Sequence, residues 1–441
     1  MGRLDRLGRR RPVGAGLSPA ARSRRRHRPG RGRDPGRRPG QTLLRAVSVI
    51  VSALVSPLPS SAAPLSILHV VRQFLPNRGG LEDFVANLAR EQARLGHRVR
   101  VLTLDRLFSA PEARLPARER LEGIDIERIP FFGSPRYPVA PSVFRHLGDA
   151  DLVHVHAIDF FFDAFALARP LHRRPMVATT HGGFFHTGAH SRLKKLWFEG
   201  PTRMSVRGYE AIVACSESDA RLFQGITPGG VPVIQNGVDL EKFAGAAAPE
   251  PRRALLTIGR FAHNKRLDRL LATLQALNAD GAGWRLRIVG VPSDVTQAAL
   301  TAEIDRRGLA GAVTLHTGLD APAVRGLIGQ SSVFVSASQY EGFGIALIEA
   351  LSAGLVPVAH PNDAFAWLKQ RHPSITLTDF ADPHGAAAAI RDAYDRLERG
   401  AILRGAEDLS DYRWSSVAAR YVSVYEAALA GSGQVVAATA A

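Results

Sequence analysis

From Leu65 onward, short apolar runs alternate with amphipathic segments, and this alternation limits the possible folds more than any other feature of the sequence. The runs are four to six residues long, as in buried strands, and lie at residues 66–71, 99–104, 124–129, 152–156, 176–180, 211–214 and 231–234. Residues 81–95 instead carry apolar side chains at helical spacing. Apolar strands separated by helices predict a parallel sheet that helices cover on both faces.

The alternation begins again after residues 244–253, whose sequence AGAAAPEPRR has the composition of a linker. Further strands are predicted at residues 254–258, 284–289, 313–316, 333–336 and 356–359, and helices at 267–277 and 414–429. Because 441 residues exceed the usual size of one hydrophobic core, two domains are expected. We predict an α/β protein with two Rossmann-like, doubly wound domains facing across a cleft, at residues 65–243 and 254–412, and a closing helix within 413–430.

Residues 1–64 have a different composition, with a basic segment followed by a short apolar one. The formal net charge is +17, and residues 1–45, with 15 Arg and 2 Asp, carry most of it. An Arg/Gly/Pro-rich segment buries little apolar surface, so we expect a disordered tail and no nucleic-acid partner for the folded part. The apolar run at 43–58 is shorter than the span of about 20 apolar residues that a membrane requires. An anchor, a signal-like segment and a translated upstream region are the alternatives.

Gly79 and Gly80 lie between the first predicted strand and the first predicted helix. Paired glycines let the backbone approach a phosphate or a sugar closely, and a helix N-terminus offers free N–H groups to an anion. A tight turn would need the same glycines, so the pair alone leaves both interpretations open.

Arg260 and Lys265 lie in the loop between the strand at 254–258 and the helix at 267–277. Asn264 is placed to cap that helix, whose positive end would then lie beside both cations. This arrangement suits a diphosphate, because Arg can bind two oxygens and Lys adds a point charge. Two exposed cations on a surface loop are the alternative interpretation.

A third loop carries Glu341 immediately before Gly342-Phe343-Gly344, and Glu349 follows in the second turn of the next helix. Two carboxylates in these positions would place hydrogen-bond acceptors along one wall of the cleft. Such a wall suits a ligand rich in hydroxyl groups, although a surface helix often carries a solvated Glu.

The segment 341–349 resembles the E-x7-E motif of the family 4 retaining glycosyltransferases, which have the GT-B fold. Gly79-Gly80, the sequence NGVD at 236–239 and the loop 260–265 occur in the family's order, so the resemblance covers residues 65–429. It implies an enzyme that transfers a hexose from a nucleotide-sugar donor.

The resemblance also implies roles for individual residues. Positions that match Arg260 and Lys265 hold the donor diphosphate and stabilise charge on the departing nucleotide. The position that matches Glu349 binds the ribose hydroxyls, and Glu341 surrounds the donor sugar together with the backbone of Gly342, Phe343 and Gly344.

Three further positions follow from the resemblance. Gly79 and Gly80 would approach the diphosphate and the acceptor from the other domain, and His181 matches a histidine near the reactive face of the sugar. Two residues depart from the family's pattern: Arg266 stands where Gly is common, and Gly182 stands where Asp is frequent.

Within the family, residues 72–76, 79–82, 264–268 and 338–342 look most like the α-mannosyltransferases of xanthan- and acetan-type exopolysaccharide assembly. The resemblance implies GDP-mannose as donor, a polyprenyl-diphosphate-linked acceptor, no obligatory metal or other cofactor, and front-face attack in which a donor phosphate oxygen takes the acceptor proton. A UDP-sugar-dependent transferase of the same fold and a non-catalytic glycan-binding protein are the alternatives. A dinucleotide oxidoreductase is disfavoured because the first loop lacks Gly-x-Gly-x-x-Gly.

A nucleotide-sugar donor and a lipid-linked acceptor imply a cytoplasmic enzyme, peripheral on the inner face of the plasma membrane. Cys215 is the only cysteine, so the sequence has no disulfide framework typical of exported proteins. Residues 191–198, SRLKKLWF, combine cations and aromatic side chains that suit a bilayer surface. The alternative is a helix that packs Leu193, Leu196 and Trp197 inward.

Overall fold

A computed structural model describes residues 63–135, 137–182, 195–402 and 404–431, so residues 1–62 of the tail predicted at 1–64 lie outside it. The strands of the N-terminal domain are β1 (Ser66–Val70), β2 (Arg98–Leu104), β3 (Arg106–Leu107), β4 (Ala110–Arg114), β5 (Arg118–Leu121), β6 (Ile124–Ile129), β7 (Phe132–Ser134), β8 (Tyr137–Val139), β9 (Leu152–His156), β10 (Met176–Thr179) and β11 (Ala211–Val213). Its main helices are α1 (Gly80–Arg94), α2 (Phe160–His172) and α3 (Glu217–Gln224).

The C-terminal domain contains β12 (Ala254–Ile258), β13 (Arg285–Gly290), β14 (Val313–Thr317), β15 (Val333–Ser336), β16 (Val356–Ala359) and β17 (Thr376–Leu377). Its helices are α4 (Leu267–Leu277), α5 (Gln297–Arg306), α6 (Ala321–Ile328), α7 (Ile345–Ala353), α8 (Asp363–Arg371) and α9 (Pro383–Glu398), and α10 (Trp414–Leu429) follows. The predicted α/β architecture with two Rossmann-like domains is confirmed.

Each domain has one main sheet whose strand order reverses near the centre. The N-terminal order is β11-β10-β9-β1-β2-β6-β5, parallel except for the antiparallel pair β5–β6. The C-terminal order is β14-β13-β12-β15-β16-β17, parallel throughout. In such sheets ligands bind outside the carboxyl ends of the strands, at the point where the strand order reverses. Here the order reverses between β1 and β9 in the N-terminal sheet and between β12 and β15 in the C-terminal sheet.

The closing helix α10 returns to the N-terminal domain. Its side chains Val417, Tyr421 and Tyr425 are fully buried in the same apolar cluster as residues of α1 and β1. Trp414, at the start of α10, packs beside Gly237, where a Cβ atom would come within 2.3 Å of the indole ring. The glycine of the NGVD sequence is therefore required by this close approach.

The segment ahead of β12 is bound to the C-terminal domain. Val238, Leu240 and Phe243 are buried in an apolar cluster of that domain. Farther along, the backbone amide of Ala247 donates a hydrogen bond to Ala353 O at 2.8 Å. The alanine-rich stretch thus packs on the domain that follows it.

Several strands differ from those predicted. Residues 231–234 do not form a strand, because their only ladder contact is an isolated bridge between Ala214 and Val233. The hairpins β3–β4 and β7–β8 and the edge strand β5 were not predicted, since their exposed or half-exposed side chains leave little apolar pattern. Within the described ranges, no helix combines the length and hydropathy needed to cross a membrane.

Candidate active site

Two loops meet at the carboxyl ends of the paired strands β12 and β15. The amide of Gln339 donates to Asn264 O at 2.9 Å, and Asn264 Nδ2 donates to Tyr340 O at 3.2 Å. The prediction that Asn264 caps α4 is therefore wrong. Its side chain holds the two loops together instead, and Arg266 occupies the position before the helix.

Lys265 and Glu341 form an ion pair where these loops meet, with Nζ 2.6 Å from Oε1 and side chains 21% and 17% exposed. Lys265 also lines a small recess together with Gly259, Arg260 and Ser338. The structure thus pairs Lys265 with Glu341 and places Arg260 beside the same recess as Lys265. This recess lies at the reversal point of the sheet, where a ligand is expected.

Arg266 links the short turn of residues 263–265 to α4 in a left-handed backbone conformation, with φ 49° and ψ 48°. Glycine adopts this conformation without a steric penalty, which explains why glycine is common at this position of the loop. The Arg266 guanidinium donates two hydrogen bonds to Asp268, at 2.7 and 2.9 Å, and lowers the pKa of that carboxyl. Arginine at this position therefore preserves the turn at a conformational cost.

The loop that follows Glu341 is held by packing on one side and open on the other. Gly344 has φ 98°, and a Cβ atom there would come within 2.8 Å of the Phe365 ring. The Phe343 side chain is buried against Trp367 and Tyr412. A Cβ atom at Gly342 would meet no atom within 4 Å, so the backbone there is accessible to a ligand.

A cavity of about 740 Å³ lies between the two domains, beside this loop. Glu341, Gly342 and Phe343 line it from the C-terminal domain, and residues 215–218 and Arg221 line it from the N-terminal domain. Its size suits a small-molecule ligand. The predicted cleft is therefore present, with the Glu341 loop on its wall.

Glu349 lies apart from Lys265 and pairs with Lys242, whose Nζ is 3.1 Å from Oε1 of Glu349. The carboxylate is 13% exposed. Burial raises its pKa, and the Lys242 ammonium acts in the opposite direction. Lys242 is thus a partner of Glu349 that the sequence pattern did not indicate.

Gly79 and Gly80 lie at the start of α1, and neither has a backbone conformation that requires glycine. Gly79 has φ −166°, which is extended backbone that any residue adopts, and Gly80 has no positive φ. A Cβ atom at Gly80 would meet no atom within 4 Å. Gly80 also lines a cavity of about 450 Å³ with Arg72, Asn77 and Phe108. A Cβ atom at Gly79 would come within 2.7 Å of the Glu82 carboxylate, whereas Gly80 has free space beside it, on the side of this cavity.

His181 follows β10 and directs its ring into the N-terminal domain. Its Nε2 lies 3.0 Å from Nδ1 of His156, and its Nδ1 lies 3.8 Å from Sγ of Cys215. The ring packs edge-on against Phe84, with centroids 4.7 Å apart. Burial lowers the pKa of His181 to about 3, so the ring is neutral. Cys215, next to it, lines the interdomain cavity.

One group of side chains among the described residues has ligand atoms spaced as a metal ion would require, namely His69, His154 and His156. All three are buried beneath the cleft in β1 and β9. Each of their ring nitrogens already has a hydrogen-bonding partner in the protein. A metal ion would have to displace those partners.

Comparison with known proteins identifies the family. The family model described as Glycosyltransferase Family 4 matches residues 78–242, and the model described as Glycosyl transferases group 1 matches residues 239–399. The GDP-mannose:cellobiosyl-diphosphopolyprenol alpha-mannosyltransferase of Komagataeibacter xylinus is 43% identical over 373 residues, covering 83% of this chain and 94% of that protein. The protein of the same name from Xanthomonas campestris is 41% identical, covering 83% and 97%. The chain belongs to the family 4 glycosyltransferases.

Solved structures show that this family 4 glycosyltransferase has the GT-B fold. A glycosyltransferase from Rickettsia africae superposes with a TM-score of 0.63 at 16% identity, covering 84% of this chain and all of the other. Starch synthase IV from Arabidopsis thaliana, bound to ADP and acarbose, superposes with a TM-score of 0.60 at 15% identity, covering 83% and 100%. At these identities the likeness concerns the fold alone.

The sequence patterns missed part of the site of this glycosyltransferase. Cys215 and Ser216 line the interdomain cavity from the loop after β11, and Ser218 lines it from the first turn of α3. They follow a predicted strand at its carboxyl end, and this placement was a signal that could have found them. Asn362 and Trp367 line the cavity from α8 and the residue before it, without a motif to mark them.

Proposed function

We propose that this glycosyltransferase moves mannose from GDP-mannose to a cellobiosyl unit carried on polyprenyl diphosphate. The support for donor and acceptor comes from relatives of that name at 41–43% identity over 83% of the chain. The observation that supports catalysis of the transfer is the recess that Arg260 and Lys265 both line, with Glu341 paired to Lys265.

The chemistry of the transfer explains why cations belong at this position. The bond between the sugar C1 and the diphosphate oxygen breaks, a bond from C1 to an acceptor hydroxyl oxygen forms, and the hydroxyl proton passes to a phosphate oxygen of the departing GDP. Negative charge grows on the diphosphate, so preorganised positive groups stabilise the transition state more than the ground state. We propose that Arg260 and Lys265 supply this charge without an obligatory metal ion, with retention at C1.

We place the acceptor on the N-terminal side, in the cavity beside Gly80. Asn77 and Glu82 supply polar groups there, and Asn77 Nδ2 already donates to Glu82 Oε1 at 2.8 Å. Phe108 adds an apolar surface, and Arg72 adds a positive charge. This combination suits a saccharide that carries a phosphate group.

We also propose that the enzyme acts at the inner face of the cytoplasmic membrane, where a polyprenyl-linked acceptor is held. In the segment 191–198, residues 191–194 lie outside the described residues. Leu196 and Trp197 are 69% and 41% exposed, so the alternative in which they pack inward is not supported. Leu167, Leu171 and Met204 are exposed as well, on α2 and on the turn Arg203–Ser205 in contact with it. We call these five residues the apolar patch.

Exposed cations accompany the apolar patch. Lys195, Arg203 and Arg207 are all solvent-exposed in the same stretch of chain. Apolar side chains interspersed with cations suit the surface of a bilayer that contains anionic lipid.

Co-sedimentation with vesicles of phosphatidylglycerol and phosphatidylethanolamine tests the membrane proposal. The double variant Leu196→Ser/Trp197→Ser should lose most of the bound fraction, whereas Leu319→Ser, at a 39% exposed leucine of the C-terminal domain, should not. Equal binding by both variants and the unsubstituted protein would exclude the apolar patch.

A donor screen with a synthetic cellobiosyl-diphospholipid acceptor tests the function. GDP-mannose, UDP-glucose and UDP-N-acetylglucosamine would be compared, with products identified by mass. Transfer of one mannose from GDP-mannose supports the proposal, and efficient use of a UDP-sugar instead would replace the donor. Binding of GDP-mannose without transfer or hydrolysis would favour a non-catalytic glycan-binding protein.

A further inference from the structure

Three histidines lie side by side in the two central strands of the N-terminal sheet. His69 in β1 is the register partner of His154 in β9, and His156 follows two residues later on the same face. All three are fully buried. Buried imidazoles need hydrogen-bonding partners, and half of the six ring nitrogens here are bonded to another imidazole.

The histidines form a continuous chain of hydrogen bonds that ends at His181. His69 Nε2 lies 2.7 Å from Oε1 of Gln92 in α1. His69 Nδ1 lies 2.9 Å from His156 Nε2, and His156 Nδ1 lies 3.0 Å from His181 Nε2. The chain of hydrogen bonds thus extends from Gln92 in α1 to His181, two residues beyond the end of β10.

The amide of Gln92 sets the direction of every bond in this chain. Its Nε2 donates to the hydroxyl of Tyr425 in α10 at 3.0 Å, so its oxygen faces His69 and accepts. A neutral imidazole has one N–H and one lone pair, so each ring that donates from Nε2 must accept at Nδ1. His69 therefore donates to Gln92 and accepts from His156, and His156 accepts from His181.

The rings remain neutral because they are buried. Burial lowers the pKa of His69 to about 4 and lowers the pKa of His154 and His156 well below the usual value. His154 is held in a side branch, with Nδ1 2.7 Å from the Tyr425 hydroxyl and Nε2 2.7 Å from Thr179 Oγ1. In a neutral ring one nitrogen donates and the other accepts, so the direction of one hydrogen bond fixes the direction of the next. A charged ring would donate from both nitrogens and break this sequence.

From this geometry we infer that Gln92, His69 and His156 are positioning residues that fix His181 as the Nε2–H tautomer. The lone pair of His181 Nδ1 then lies on the side of Cys215, where the thiol is its present neighbour at 3.8 Å. Burial raises the pKa of that thiol to about 12, so it keeps its proton and can donate weakly. Cys215 lines the interdomain cavity, and a sugar hydroxyl that reached past it from that cavity would replace this weak donor.

In this arrangement His181 acts as a neutral hydrogen-bond acceptor, through Nδ1, for a substrate hydroxyl. This part of the inference depends on the proposed transferase function, whereas the tautomer itself does not. Tyr425 matters because it orients Gln92 from α10, so the closing helix is connected to the cleft through side-chain hydrogen bonds.

The tautomer can be measured by long-range ¹H–¹⁵N NMR of the full chain labelled at histidine, with His181 assigned through the variant His181→Gln. The inference requires the protonated nitrogen of His181 to be Nε2 and the unprotonated one Nδ1. The reversed pattern would mean that the Gln92 amide points the other way and would overturn the inference.

Two tyrosine variants in the same helix separate positioning from packing. Tyr425→Phe removes the hydroxyl that holds Gln92, so the His181 shifts should move toward a mixture of tautomers. Tyr421→Phe is the matched control, because Tyr421 is equally buried and its hydroxyl contacts Thr179 at 3.1 Å rather than Gln92. Equal His181 shifts in both variants and the unsubstituted protein would overturn the role of Tyr425 and Gln92.

Kinetics and metal binding complete the test. In the transfer assay, Tyr425→Phe should lower kcat by about tenfold with little change in the KM of GDP-mannose, a loss typical of removing an orienting partner. An inactive parent enzyme with the Nε2–H tautomer intact would refute the proposed function and leave the hydrogen-bond chain standing. Stoichiometric zinc binding that abolishes the His69 and His156 NMR signals of the free protein would show a metal site instead and overturn the inference.

Discussion

The ammonium group of Lys265 is bound to the carboxylate of Glu341 at 2.6 Å, so a cation proposed to bind the donor diphosphate and a carboxylate proposed to bind the donor sugar are each other's partner. The pair is about four-fifths buried, and the loops that carry it are joined by the Asn264 hydrogen bonds. A donor diphosphate must therefore compete with Glu341 for Lys265. Once it succeeds, the Glu341 carboxylate becomes available to a sugar hydroxyl.

Replacing Glu341 by Gln should separate the competition for Lys265 from the binding of the sugar hydroxyl. The neutral amide no longer competes with the diphosphate, so the Kd of GDP should fall by roughly tenfold or more, since a charged hydrogen-bond partner contributes about 1.5 to 3 kcal/mol. The kcat of mannosyl transfer should decrease, because Gln accepts a sugar hydroxyl more weakly. Calorimetry with GDP and steady-state kinetics measure the two quantities. Weaker GDP binding in Glu341→Gln would contradict competition for Lys265.

Removing the charge of Lys265 should affect turnover most. We expect Lys265→Ala to lower kcat by at least ~100-fold, the scale observed when one preorganised electrostatic contact is lost. Lys265→Arg keeps a positive charge in the recess and should retain more activity than Lys265→Ala. Near-normal turnover of the alanine variant at saturating donor would show that this ammonium does not act on the leaving group.

A methyl group at Gly80 should impair function without impairing folding. The Cβ of Gly80→Ala meets no protein atom, and alanine is the better helix former at the start of α1, so the thermal midpoint should be unchanged or raised. The same methyl enters the proposed acceptor cavity, and a misplaced methyl group changes specificity by roughly 10-fold or more. The KM of the lipid-linked acceptor should rise accordingly. Gly229→Ala, also free of contacts, is the control and should leave that KM unaltered.

The sequence predicted the parts of this enzyme that depend on local pattern. Strands β6, β9, β12, β15 and β16 and helices α4 and α10 have the predicted bounds, because buried strands and amphipathic helices carry their periodicity in the side chains themselves. Strand β4, with the sequence APEAR and every side chain exposed, is formed by pairing with β3, and no burial pattern marks it.

Pairings between distant segments were the least predictable part of the site. Lys242 with Glu349, and His69 with His156, join residues 107 and 87 positions apart. Such pairs arise only when the domains fold. The loop at Arg266 shows another limit: a cap was expected from Asn264, but the left-handed Arg266 redirects the chain before the helix begins.

Glycine at position 266 should be tolerated. Relief of the left-handed strain contributes roughly 1–2 kcal/mol, and loss of the partly exposed pair with Asp268 offsets up to about 1 kcal/mol of it. Arg266→Gly should therefore raise the free energy of unfolding by at most about 2 kcal/mol and keep transferase activity. Arg266→Val, a β-branched residue that disfavours positive φ, should lower stability and turnover together. Urea titration and the transfer assay would test both, and a stable, active valine variant would contradict a requirement for this backbone conformation.

Asp159 should make the protein less stable as the pH rises toward neutrality. Burial raises the pKa of this carboxyl to about 7, while the amide of Phe161 and the charge of Arg72 act in the opposite direction, and its Oδ2 has no hydrogen-bond partner among the described residues. The folded chain therefore keeps a proton that the unfolded chain releases near pH 4, so its contribution is fully favourable below that pH and is lost as the pH rises through 7.

The variant Asp159→Asn keeps the oxygen that accepts from Phe161 and cannot ionise. At pH 8 it should be more stable than the parent by up to about 4 kcal/mol, which corresponds to three pKa units, and the difference should vanish near pH 4. Urea unfolding at pH 4, 6 and 8 measures this trend. A variant less stable than the parent at pH 8 would show instead that the ionised carboxylate is held by Arg72 in the folded state.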